Sequence, residues 1–269
     1  MGEPTLAELA DELVALGADQ HGGALLEQLG ISDETLANGH AIQLALLRDR
    51  SLYIVVLCSR RAGKTYGLAC LALLVALRRP RQNLLYVGLS KPHARKFLWN
   101  EVWCPLLNRL DPAQAWHKRL EDEMTTTFAN GSVMYVSGTD DVRHIESFLG
   151  NRLNLAIVDE AQSQRDGVLV PLTTRILPNA LLDDMTNPGQ LIMAGTIPEV
   201  NAGCFMDAWN GGRYAKHNWN RFQNPHLKGQ TQALAEYLRA NPGLKMDSPL
   251  VRREWFGAFE FDSSATAYR

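Results

Sequence analysis

At 269 residues, 46% hydrophobic and 21% charged, the chain is long enough for one large α/β domain with a small appended unit, and its composition excludes wholesale disorder. A formal net charge of -2 and a pI near 6.4 exclude a surface coated in positive potential, so contact with nucleic acid must be local. Cys58, Cys70, Cys104 and Cys204 form no Cys-x-x-Cys pair, which speaks against a zinc site or a disulfide framework, and residues 68–77, the longest apolar stretch, are too few to span a bilayer.

In chain order, Leu6, Leu13, Leu16, Leu25, Leu26 and Leu29 give residues 5–30 an amphipathic helical pattern, interrupted near Gly22-Gly23. The start, Met1-Gly2-Glu3-Pro4, has neither the basic opening nor the apolar run of a secretory signal, so a cytosolic chain with reduced thiols is expected. A further helix is predicted over residues 33–49, capped by Ser32 or Asp33. Residues 1–49 thus read as a helical segment packing on the core formed by residues 50–212.

From Leu52 the character changes. Residues 52–57 form a continuous run of apolar and β-branched side chains, as a strand buried on both faces requires. Residues 64–78 follow at helical period, 83–87 return as strand and 92–110 read as helix, an alternation that implies a doubly wound, mainly parallel sheet flanked by helices. Residues 124–128 and 132–136 flank Ala129-Asn130-Gly131, a hairpin turn signal. Two more buried runs, residues 153–158 and 191–194, bring the core to about five strands. After Asn210-Gly211-Gly212 the apolar runs stop, and helices are predicted near 228–240 and 248–257. The organisation expected is a core over 50–212 and a small helical subdomain over 213–269.

Two strand ends carry the chemistry. Directly after the first buried strand stands Cys58-Ser59-Arg60-Arg61-Ala62-Gly63-Lys64-Thr65, a Walker A element in which Cys58 replaces the usual first glycine. Such a loop turns backbone N–H groups toward phosphates at the positive end of the next helix, with Gly63 allowing close approach, Lys64 neutralising the β- and γ-phosphates and Thr65 placing its hydroxyl on Mg²⁺. The second element, Leu155-Ala156-Ile157-Val158-Asp159-Glu160, ends a buried strand in two acids, which fall at the ligand crevice of an open α/β sheet. There Asp159 is expected in the Mg²⁺ shell and Glu160 polarising the attacking water. Thr196, at the end of Leu191-Ile192-Met193-Ala194-Gly195-Thr196, reads either as a γ-phosphate sensor or as a plain strand-end threonine. The acidic pairs Asp140-Asp141 and Asp183-Asp184 read as acidic turns. The run Arg78-Arg79-Pro80-Arg81 reads as a DNA contact or as a cationic helix end.

Ser59 to Thr65, Ile157 to Ala161, Ala194 to Thr196, Asn224-Pro225-His226-Leu227 and Arg253-Glu254-Trp255-Phe256-Gly257 together resemble the large terminase subunit of tailed bacteriophages, over roughly residues 40–260. That family's loop commonly opens with Ser-Arg, which accounts for the missing glycine. The resemblance implies a P-loop NTPase of RecA-like, additional-strand type that hydrolyses ATP with Mg²⁺ to package double-stranded DNA into a procapsid. It further implies a phosphate-holding role for Arg60, a coupling role for Thr196 and an adenine-reading role for Gln43, although Gln43 as an exposed helix residue fits the sequence equally. The partners implied are copies of the chain in a ring, a portal protein and a small terminase subunit, in the host cytoplasm and away from membranes. In such a ring a neighbour supplies an arginine finger, for which Arg143 is preferred and Arg152 is the next candidate. Terminases usually carry a nuclease after the motor, and residues 261–269 fall where the link to it is expected, so the chain reads as a motor domain alone.

Two other readings compete. Asp159-Glu160-Ala161-Gln162 resembles the second motif of DEAD/DEAH-type helicases, which need a second RecA-like domain for which residues 213–269 are too few. The other is an assembly protein that binds a nucleotide without hydrolysing it, against which the full set of Lys64, Thr65, Asp159 and Glu160 speaks.

Overall fold

The computed structural model describes residues 30–113, 115–140, 145, 152–182 and 188–261. The leucine-patterned stretch before residue 30, Arg143, Asp141 and Asp183-Asp184 lie outside the described residues.

The helix expected over 33–49 is two helices, α1 (Asp33–Ala37) and α2 (Ala41–Arg48), because Asn38 and Gly39 take left-handed backbone, φ 47 and 80. Ser32 does cap α1, in a capping box with Thr35. The chain then enters β1 (Tyr53–Cys58), α3 (Lys64–Arg78) and β2 (Asn83–Gly88), as the sequence pattern requires. The next helix is continuous, but its middle is π-helical: α4 (Lys91–Ala94) runs through Arg95–Trp103 into α5 (Cys104–Leu110). Next come β3 (His117–Leu120), β4 (Thr125–Phe128), β5 (Val133–Gly138) and β6 (Leu155–Val158). After them α6 (Asp166–Pro171) continues through a π-helical turn into α7 (Leu177–Leu181), followed by β7 (Gln190–Thr196) and α8 (Cys204–Asn210). The described chain closes with β8 (Ala215–Trp219), α9 (Gln230–Ala240) and α10 (Pro249–Phe256).

One eight-stranded sheet, ordered β3-β4-β5-β2-β6-β7-β1-β8, carries the fold. Its strands from β5 to β8 in that order run parallel, and the hairpin β4-β5 with β3 adds an antiparallel edge. The central strands read as unbroken apolar runs because both faces are covered. Ile54, Val56, Ile157 and Ile192 face the side packed by α3 and the π-helical stretch, while Val55, Leu57, Val158 and Met193 face α6, α7 and α8. β3 and β8 lack such runs because they are edge strands with half-exposed, alternating side chains. β8 lies past residue 212, where the apolar runs stop, yet it pairs with β1, so the sheet extends across that point. α9 and α10 pack on each other through Leu234, Val251 and Trp255, a small apolar cluster of their own. Among the described residues no helix is long and apolar enough to cross a membrane.

Candidate nucleotide site

The parallel topology brings the carboxyl ends of β1, β6 and β7 to one crevice, with β7 lying between β1 and β6. Cys58 ends β1, fully buried, with burial pushing its thiol pKa up, so the position of the missing glycine is still strand. The loop from Ser59 to Gly63 then turns sharply: Arg61 and Gly63 both have positive φ, 59 and 88. The positive φ of Gly63 favours glycine, and a Cβ there would stand 2.8 Å from Gln43 Nε2 and push that amide aside.

The loop is tied back by side chains from distant segments. Gln43 Nε2 donates to the Gly63 carbonyl (2.8 Å), Trp219 Nε1 to the Ala62 carbonyl (2.8 Å) and Asn224 Nδ2 to the Arg61 carbonyl (3.3 Å). Ser59 N donates to the Trp219 carbonyl (3.1 Å), and Ser59 Oγ accepts from Arg221 N (2.8 Å). With these carbonyls engaged, the first turn of α3 offers N–H groups that the helix itself cannot pair. Gln43 is therefore not an exposed helix residue: it is 3% exposed and braces the loop.

Lys64 opens α3 and reaches under the loop, where Nζ pairs with Asp159 Oδ1 and, at 3.0 Å, with Glu160 Oε1. Burial works against its charge, but the two acids outweigh that and hold its pKa above the ordinary lysine value. Asp159, whose side chain is 4% exposed, also accepts from the Tyr86 hydroxyl, from Glu160 N (2.8 Å) and, at 3.4 Å, from Thr65 Oγ1. Glu160 follows in a left-handed conformation, φ 54, unusual for a residue with a Cβ. Burial pushes the Glu160 carboxyl up, yet Lys64 and a 2.6 Å hydrogen bond from Gln162 Nε2 outweigh it and keep the pKa below the ordinary carboxylate value. Thr196 ends β7 at the same crevice, its backbone N donating to Gln162 Oε1 (3.1 Å). The loop, Glu160, Thr196 and Val102 line a cleft of about 340 Å³.

Of the arginines, Arg60 is 70% exposed and its Nε meets Glu254 of α10 at 2.5 Å, while Arg61 shares a second cleft with Arg221 and Trp255. Arg152 lies three residues before β6, at the end of that strand opposite Asp159. Arg78 pairs with Asp33 at 2.8 Å, and Asp140 accepts from Lys91 N as a turn acid. Tyr86 and Trp219 carry no sequence signal as site residues, since each acts through contacts across strands or with the loop, whereas Gln162 showed in the sequence only as the last residue of the helicase-like Asp159-Glu160-Ala161-Gln162 run. Among the described residues no cluster of three or more His, Cys, Asp or Glu could hold a metal.

In its fold the chain is similar to the ATPase domains of phage large terminases. The Thermus phage P74-26 large terminase ATPase domain superposes with a TM-score of 0.59 at 15% identity, covering 88% of this chain and 97% of that one. A large terminase of another thermophilic bacteriophage gives 0.60 at 18% identity, over 83% of this chain and 56% of that one, and it has also been solved with ATP-γ-S and with ADP. The large terminase of bacteriophage HK97 gives 0.51 at 15% identity, over 78% of this chain and 44% of that one. The chain thus spans about half the length of these last two proteins. No protein-family model and no curated protein matches the sequence.

Proposed function

We propose that the chain is an ATP-hydrolysing motor domain, a P-loop NTPase of RecA-like, additional-strand type, that couples hydrolysis to translocation of double-stranded DNA into a procapsid. The observation that carries this reading is the buried Lys64 at the root of the loop, in contact with both strand-end acids, with β7 inserted between the loop strand and the acid strand. Thr65 Oγ1 and Asp159 Oδ2, 3.4 Å apart, are two hard oxygen donors, which suits Mg²⁺ because that ion takes one or two protein ligands beside phosphates and water. Bound there, Mg²⁺ would neutralise charge on the β- and γ-phosphates.

The protein's own part is positional. Backbone N–H groups at the start of α3 cradle the phosphates, and Lys64 exchanges its carboxylate partners for phosphate oxygens. That exchange releases Glu160 Oε1 to accept a proton from the attacking water. Arg60 adds charge at the outer phosphates once it leaves Glu254. Thr196 senses the γ-phosphate from the end of β7. Copies arranged in a ring, with Arg143 reaching a neighbour's site, a portal protein and a small terminase subunit complete the proposed assembly in the host cytoplasm. The test is phosphate release with and without linear double-stranded DNA, with and without Mg²⁺, over a protein concentration series. Mg²⁺-dependent release stimulated by DNA supports the motor, and release that ignores DNA at every concentration removes the translocation part.

A further inference from the structure

Glu160 is held from two sides, and only one of those holds survives the exchange that hydrolysis demands. Lys64 grips Oε1 and must leave it to bind phosphate, whereas Gln162 Nε2 grips Oε2 at 2.6 Å and has no competing task. The other end of the same amide, Oε1, accepts from the Thr196 backbone N–H at 3.1 Å. Its orientation admits no flip, because a backbone N–H can only donate and an ionised carboxylate can only accept. The remaining amide hydrogen donates to Ser163 Oγ at 3.0 Å. β7 makes room for this arrangement: a Cβ at Gly195 would stand 2.1 Å from Gln162 Oε1. Glu160 needs an external hold, since its own backbone is left-handed at φ 54.

We infer that Gln162 is a positioning residue that orients the Glu160 carboxylate for water activation and links it to the end of β7 at Thr196. The inference rests on the ATPase reading. With this link, displacement of Thr196 when the γ-phosphate is lost moves the general base with it, so the site switches off between turnovers. Glutamine is demanded by chemistry: the position needs a donor toward Glu160 and an acceptor toward Thr196 on one side chain of this length.

Steady-state kinetics of Gln162→Ala, Gln162→Met and Gln162→Glu test it. All three are expected to lower kcat at least about tenfold, with KM for ATP within about twofold, because the lost term belongs to the oriented base. Gln162→Glu decides between roles. It keeps an acceptor for the Thr196 N–H but sets a carboxylate against Glu160, so a merely structural tie to β7 leaves it near wild type, and that result overturns the inference. Gln162→Met keeps the volume if the alanine variant folds poorly. Combined with Glu160→Gln, Gln162→Ala should add less than about a twofold further loss, since residues acting through one group are not additive, and a full multiplicative loss also overturns it. If the wild-type chain releases no phosphate, the ATPase reading falls and the link falls with it; if wild type is active and all three variants match it, only the link falls.

Discussion

Replacing Lys64 by alanine should damage the fold as well as the site. The substitution leaves Asp159, 4% exposed at its side chain, facing Glu160 without the cation between them. Removing one partner of a buried pair costs about 3–5 kcal/mol. Asp159 keeps the Tyr86 hydroxyl, the Glu160 N–H and Thr65, which places the cost near the lower end, about 3 kcal/mol. For a chain of this size, about 2–4 °C of Tm per kcal/mol gives a loss of roughly 6–12 °C. The sign of the pH dependence is set by the two shifts. Glu160 has a lowered folded pKa, so its contribution is complete above the ordinary carboxylate value of about 4.3 and is lost as pH falls through the folded value. Lys64 has a raised folded pKa, so its contribution is complete below the ordinary lysine value of about 10.4 and is lost as pH rises through the folded value. The deficit of Lys64→Ala should therefore be flat between roughly pH 6 and 9 and narrow below, as an acid takes up a proton. Thermal unfolding followed by circular dichroism across that range reads this, and Lys64→Ala with Asp159→Asn should recover most of the loss. An unchanged Tm at pH 7.5 refutes the buried triad.

Gly63→Ala should weaken nucleotide binding at least about tenfold in a calorimetric titration, because φ 88 and a Cβ 2.8 Å from Gln43 Nε2 reshape the loop. Trp219→Phe removes the bond to the Ala62 carbonyl and should raise KM for ATP several-fold, with a stability loss of about 1–2 kcal/mol in a denaturant titration. Activity per molecule should rise with protein concentration, and an inactive Arg143→Ala variant mixed with an inactive Glu160→Gln variant should recover phosphate release if Arg143 acts in a neighbour's site.

The strands buried on both faces, β1, β2, β6 and β7, were legible because their apolar runs leave no other reading, and α3 because its period is unbroken from Lys64. β3 and β8 were not, since Lys118 and Lys216 sit in half-exposed edge strands that show no run at all. The break at Asn38-Gly39 was present in the letters but outweighed by periodicity on either side. In the site, the loop and the acids were readable because they are contiguous. The contacts that hold them were not: Trp219 on Ala62, Tyr86 on Asp159 and Gln43 on Gly63 join residues 157, 73 and 20 positions apart. Only the sheet order brings the first two pairs together.

The most direct test measures binding and hydrolysis of ATP on the same samples of wild type and Glu160→Gln, in the presence of Mg²⁺. Both should bind ATP with affinities within about threefold, while phosphate release in the variant falls at least about a hundredfold, the scale of a positioned general base. Equal release by the two proteins, or none from wild type at any concentration, removes Glu160 as the general base of an ATPase.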